Sequence, residues 1–140
     1  MSNLPKTYIS GAGWFELHIP KNWDATESEK EVAFFDPREG IGTMQISAFV
    51  FPESEKPNLK ALLVEYLQDR GVQIEHVFFS VKPNSSKRII QAVFEQDSLY
   101  WRIWISAGCT VLLFVTYNCP AKELKELSLV EAIIDTLKIK

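Results

Sequence analysis

The sequence predicts an α+β fold: an antiparallel β-sheet with helices packed on its faces. Three observations carry that expectation. Short segments alternate polar and apolar residues, beginning within Gly13–Pro37, and read as strands. Two other segments, opening at Pro57 and Pro120, repeat apolar residues at helical spacing. The strands between Lys87 and Asn118 follow one another through turns of about two residues, which makes an antiparallel meander.

Taken in order, the first strand is Trp14–Ile19, with Phe15, Leu17 and Ile19 on one side and Trp14, Glu16 and His18 on the other. Pro20 ends it, because proline cannot donate to a sheet ladder. A Pro-Lys-Asn-Trp corner and a polar loop, Lys21–Lys30, lead to a second strand, Glu31–Phe35, closed by Asp36-Pro37. After the Arg38-Glu39-Gly40 turn, a third strand spans Thr43–Phe51, with Met44, Ile46, Ala48 and Val50 sharing a face. Asn58 is placed to cap the helix that Leu59, Leu62, Leu63, Tyr66 and Leu67 define, and Gly71 to stop it. A fourth strand, Gln73–Val81, ends at the turn Pro83-Asn84-Ser85. The meander is Lys87–Glu95, Leu99–Ser106 and Cys109–Asn118, turning at Gln96-Asp97 and Ala107-Gly108. Pro120 then opens a second helix, with Leu124, Leu127, Val130, Ile133, Ile134 and Leu137 as its stripe.

Two-residue turns would set Phe94 opposite Leu99, Ala92 opposite Trp101, and Trp101 opposite Phe114. One face of the meander is then almost wholly apolar and aromatic, the expected main core. The reverse face carries Ile89, Gln91, Val93, Tyr100, Arg102, Trp104, Val111, Leu113, Val115 and Tyr117, with Gln91 and Arg102 opposite one another in its middle. Strands apolar on both faces expect cover on both, and the second helix could supply part of it.

At 140 residues the chain is expected to form one domain, residues 1–140. A domain of that size buries roughly two thirds of its unfolded surface and needs neither disulfide nor metal to fold. Apolar residues are 46% and aromatics 12% of the whole, which suits a packed core. The net charge of −3 and scattered lysines give no basic stripe, so no nucleic-acid partner is expected. No apolar core of about 7–15 residues stands behind a basic start, and Val111–Val115 falls far short of the roughly 20 residues that span a bilayer. The expected location is the cytoplasm, with no membrane insertion. Cys109 and Cys119 flank one strand, about 33 Å apart if extended. A disulfide needs Cα atoms within about 7 Å, so two reduced thiols are expected.

Chemistry is thin. His18 and His76 are the only histidines, and neither sits in an HxH or HExxH pair. His18 shares a face with Glu16, two ligands at most; an exposed strand face explains them equally, and no metal is expected. Ser10-Gly11-Ala12-Gly13 precedes a strand rather than a helix, so it cannot offer helix-end amides to a phosphate. No cofactor is expected. A Cys109–His pair would require His18 or His76 to arrive through the fold. The acidic run Asp24, Glu27, Glu29, Glu31 lacks EF-hand spacing and reads as a solvated loop.

The segments FELHIPKNW, VAFFDP and TMQISAF, with the aromatic meander and the closing IDTLKI, resemble the PsbP/Mog-like superfamily over nearly the whole chain. The resemblance implies an antiparallel sheet with helices on its faces, the α/β sandwich of that superfamily. It also implies a protein that binds other proteins and does no chemistry itself. Members include a photosystem extrinsic subunit, a binder of the Ran GTPase, bacterial chaperone-like proteins and bacterial domains of unknown function. No partner-binding residue transfers from them. The resemblance implies a small cytoplasmic interaction module of bacterial type, non-catalytic and of adaptor or chaperone-like kind, and the residues suggest that it binds a protein or peptide through Gln91, Tyr100, Arg102 and Trp104. Trp, Tyr and Arg dominate binding hot spots, and here a polar pair is embedded in an aromatic face. Set against it is a plain structural role, with Trp104 covered by a helix and Arg102 meeting a helix carboxylate such as Glu123 or Glu126. The alternatives are a small-ligand-binding protein or enzyme with a pocket between sheet and helix, and a structural homodimer subunit.

Overall fold

In the computed structural model, which describes residues 5–82 and 88–140, the elements run β1 (Lys6–Ile9), β2 (Phe15–Ile19), β3 (Asp24–Glu27), β4 (Glu31–Phe35), β5 (Thr43–Val50), α1 (Leu59–Gln68), a 3-10 turn (Ile74–His76), β6 (Phe78–Val81), β7 (Ile90–Gln96), β8 (Leu99–Ala107), β9 (Val111–Pro120), α2 (Leu127–Asp135) and β10 (Lys138–Ile139). Seven strands form one antiparallel sheet in the order β3-β4-β5-β9-β8-β7-β6. A second sheet, β1-β2-β10, joins the two ends of the chain. The expected antiparallel α+β architecture is therefore present.

The large sheet separates two cores. On one face Ile90, Ala92, Phe94, Ile103, Ile105, Leu112 and Phe114 bury with Leu63 and Leu67 of α1. Tyr66 stacks on Phe114 with ring centroids 4.5 Å apart. On the other face Met44, Ile46, Trp104, Leu113 and Val115 bury with Val130, Ile133 and Ile134 of α2 and with Phe15, Leu17 and Ile19 of the small sheet. Local chemistry sets the elements. The Asn58 side chain accepts from Ala61 N at 3.0 Å and starts α1. Past its end, Gly71 takes the left-handed φ of 74° that lets Val72 N reach back to Leu67 O. At the Pro20 corner, Trp23 N donates to Pro20 O and the Trp23 ring is buried.

Several expectations are corrected. The polar loop contains β3, an edge strand exposed along its whole length, which explains its polar composition. The fourth strand is shorter than expected, because Ile74–His76 turns as a 3-10 helix before β6. The β7–β8 turn is Asp97-Ser98, not Gln96-Asp97, with φ of 54° and 66° at its two central residues. That backbone matches the twist of a two-residue hairpin. Phe94 therefore faces Trp101 and Ala92 faces Ile103, two residues off the expected register. Between β8 and β9 the loop is longer and Trp101 faces Asn118, four residues off. Both slips are even, so every side chain keeps its expected face. Pro120 closes β9, and α2 begins only at Leu127, leaving Leu124 exposed. The expected turn Pro83-Asn84-Ser85 lies outside the described residues.

Candidate functional site

Three carboxylates pin α2 and the turn before it to the sheet. Glu126, buried just ahead of the helix, accepts from Gly42 N (3.0 Å), Ile41 N (3.3 Å) and the Tyr117 hydroxyl (2.9 Å). Burial, and then the bond to Glu126, push the Tyr117 hydroxyl above the ordinary tyrosine range, so it stays a neutral donor. Gly42 is required there, since a Cβ would lie 2.2 Å from Asn118 O and 2.8 Å from the Tyr117 ring. One helical turn apart on α2, Glu131 pairs with Arg102 and Asp135 pairs with Lys82, each at 3.0 Å. Lys82 is buried while Asp135 is exposed, so the lysine gains its counter-charge at the protein surface.

Of the four residues proposed from sequence as one binding face, the structure brings all together, buries two and leaves two half-buried. Gln91 and Trp104 are buried, 5% and 1% exposed. They sit opposite one another in the ladder, in the face that α2 covers. As partner-contacting residues they are corrected: an indole and an uncharged amide belong to the seam between sheet and helix. Arg102 and Tyr100 are half-buried at its rim. Arg102 Nη2 donates to Gln91 Oε1 (3.2 Å) and faces Glu131, while Nη1 reaches the Tyr100 hydroxyl (3.4 Å). Gln91 Nε2 in turn donates to Ser80 Oγ. The Arg102 partner is thus a helix carboxylate, but Glu131 rather than Glu123 or Glu126, because the helix starts later than its sequence suggests. Two donors in the seam, Arg102 Nε and Trp104 Nε1, are buried without a protein acceptor.

Beyond α2 the same face runs out to the sheet edge uncovered. Phe78 on β6 lies opposite Val93 on β7, which lies opposite Arg102 on β8. Phe78 is 68% exposed and Val93 half-buried, so an aromatic, an aliphatic, a tyrosine and a guanidinium rim form one strip. On the opposite face of β6, Val81 is 56% exposed. The sequence reading missed Phe78, since nothing in FFSV marks which phenylalanine a helix leaves bare. The signal was indirect: β6 would have to be recognised as the last strand of the sheet.

Elsewhere the chemistry stays dispersed. His18 Nδ1 meets Thr7 Oγ1 at 3.1 Å on the small sheet. His76 lines an open cavity of about 320 Å³ with Glu95, and Cys109 lines a different one of about 290 Å³ with Glu53 and Glu55. No cysteine–histidine pair is assembled among these residues. Cys119 is buried, and burial raises its thiol pKa; both cysteines are free. Among the described residues no group of three or more His, Cys, Asp or Glu could hold a metal ion, and no helix is long and apolar enough to cross a membrane.

Residues 3–140 match the family model described as Domain of unknown function (DUF3805). The chain is similar to a crystal structure from Bacteroides thetaiotaomicron VPI-5482 at 1.50 Å resolution, with 21% identity and a TM-score of 0.66. That likeness covers 96% of this chain and 48% of the other, so this chain spans about half the length of that protein. It is also similar to the solution structure of cyanobacterial PsbP (CyanoP) from Synechocystis sp. PCC 6803, with 8% identity and a TM-score of 0.74 over 100% of this chain and 95% of that one. At such identities the likeness is one of fold, the PsbP-like sandwich expected from the sequence. No curated protein matches the chain.

Proposed function

This chain belongs to the DUF3805 family, and we propose that it is a non-catalytic protein-interaction module that binds a partner protein or peptide through the strip of exposed Phe78 and half-buried Val93, Tyr100 and Arg102. The observation that carries this reading is Phe78, a large aromatic side chain 68% exposed on the edge strand of a sheet face whose interior a helix covers. Exposed apolar groups rimmed by polar ones mark contact surfaces, and aromatic and arginine side chains supply most binding energy there. The pinned α2 supports the reading too, because it holds the Arg102 rim in one position without a partner. The setting we propose is the bacterial cytoplasm.

The test is affinity capture from source-cell lysate with the wild type and Phe78→Asp side by side. Phe78 is exposed, so the variant is expected to melt at an unchanged temperature. The expected result is a protein held by the wild type and lost by the variant. Capture of nothing, or equal capture by both, overturns the reading.

A second reading has one observation in its favour. An open groove of about 570 Å³ lies between α2 and β2, walled by Ile19, Leu129, Ala132 and Ile133 with His18 and Thr136 at its polar side. A small apolar ligand there would raise the melting temperature, and Ala132→Trp, which fills the groove, would remove that rise.

A further inference from the structure

We propose that the partner enters as an extended segment added as a further strand to the outer edge of β6, with an acidic residue set beside Lys60. This rests on the preceding reading and specifies how that surface is used.

The backbone groups of β6 alternate in direction. Lys82 N donates to Ile89 O at 2.9 Å, which fixes Lys82 and Ile89 as a bonded pair of the antiparallel ladder. Bonded and non-bonded pairs alternate, so Ser80 and Phe78 also turn their N–H and C=O toward β7. Phe79 and Val81 turn theirs outward, and β6 is the last strand of its sheet. Their outward groups are a template for one more strand.

Side chains are also exposed on both faces of that edge. Phe78 on the α2 face and Val81 on the α1 face are each more than half exposed. An added strand alternates its side chains and so covers both at once. The opposite edge of the same sheet is less suited to such pairing. There β3 reads Asp-Ala-Thr-Glu, and charged edge residues discourage strand addition.

Charge selects the occupant. The Lys60 ammonium lies 5.0 Å over the ring of Phe79, one of the two residues whose backbone groups turn outward. Among the described residues the ion pairs are Lys82–Asp135 and Arg102–Glu131, so Lys60 is held by the ring and by no carboxylate. A second copy paired across β6 by a two-fold axis normal to the sheet would bring its own Lys60 to the same face of the same four-residue strand. Two ammoniums without a carboxylate partner would then share one face, whereas an acidic segment brings the opposite charge, which favours a different chain over self-pairing. The segment that fits has apolar residues at alternate positions and an aspartate or glutamate where it passes Phe79.

The probe is a displayed library of random peptides, selected on the wild type and on three variants: Val81→Pro, Lys60→Glu and Phe78→Asp. Val81→Pro removes an outward N–H that the ladder to β7 does not use, so the fold tolerates it, as a thermal melt will check. Support for the proposal is enrichment of peptides with apolar residues at alternate positions and a carboxylate. They should bind about tenfold or more weakly to Val81→Pro and shift to a basic residue on Lys60→Glu. Peptides that bind Val81→Pro unchanged but lose Phe78→Asp overturn strand addition and leave the interaction surface standing. Peptides indifferent to all three variants overturn both. Absence of any enriched peptide overturns strand addition. So does a wild-type dimer in analytical ultracentrifugation that Val81→Pro abolishes, since a second copy is then the occupant.

Discussion

Each face of the seven-stranded sheet carries one α-helix, and the two are held differently. Beneath α1 the contacts are apolar: Leu63 and Leu67 fill a layer of Ile, Leu and Phe, and Tyr66 lies flat on Phe114. Beneath α2 an apolar layer of similar kind is overlaid by polar anchors, with Glu126 on two backbone amides and a hydroxyl, Glu131 on Arg102, and Asp135 on Lys82. Apolar burial is non-directional and fixes only how deep a helix sits. Hydrogen bonds and ion pairs have directions, and they fix where along the sheet the helix stops. The difference teaches that α2 is positioned while α1 is merely packed, and the rim beside α2 is where the exposed strip begins.

The comparison breaks most decisively at Trp104. Trp104→Ala is expected to destabilise by about 3–5 kcal/mol in urea unfolding, as large truncations in packed cores do. A loss below about 1 kcal/mol would mean that the α2 face is no true core. On the other side, Leu63→Ala is expected to cost about 2–5 kcal/mol, whereas Leu63→Met should cost less than about 1.5 kcal/mol, because an apolar-only contact can repack. If the methionine variant is as damaging as alanine, α1 is as tightly positioned as α2. Glu126→Ala strands the Gly42 amide and the Tyr117 hydroxyl, and about 1–3 kcal/mol should be lost, with part restored in Glu126→Gln. Equal effects of alanine and glutamine would remove the case for a directional anchor. At α1 the cap is a directional contact at the helix start, and Asn58→Ala should cost about 1 kcal/mol.

The smallest effect concerns pH. Glu27 accepts from the Tyr8 hydroxyl and from Gly11 N, and these bonds hold its carboxyl below the usual range. A lowered folded-state pKa means its contribution is full above the unfolded value and is lost as pH falls through the folded one. The stability gap between wild type and Glu27→Gln should therefore be present at neutral pH and close in acid. A gap that widens in acid would reverse the assignment.

How much of this was legible follows from the range of each contact. Faces were readable because a two-residue period survives any even slip, and both hairpins slipped by even numbers. Registers were not, since Gln96-Asp97 and Asp97-Ser98 are equally plausible turns in the sequence and only the fold selects the pair with positive φ. The four-residue β1 and two-residue β10 were missed because their pairing with β2 is a meeting of the chain ends, not a local pattern. Arg102 and its neighbours were legible as a cluster. Their cover was only half legible, because Pro120 looks like a helix start when it is in fact the end of a strand, and the error moves every residue of α2 that could meet Arg102.

The alternation along β6 also writes itself in time. The amides of Phe78 and Ser80 lie within the ladder and trade their hydrogens for solvent deuterium only when that edge opens, whereas those of Phe79 and Val81, which have no acceptor among the described residues, trade faster. In a strand of four residues, fast and slow amides therefore take turns, and whatever occupies the edge in solution slows only the fast pair.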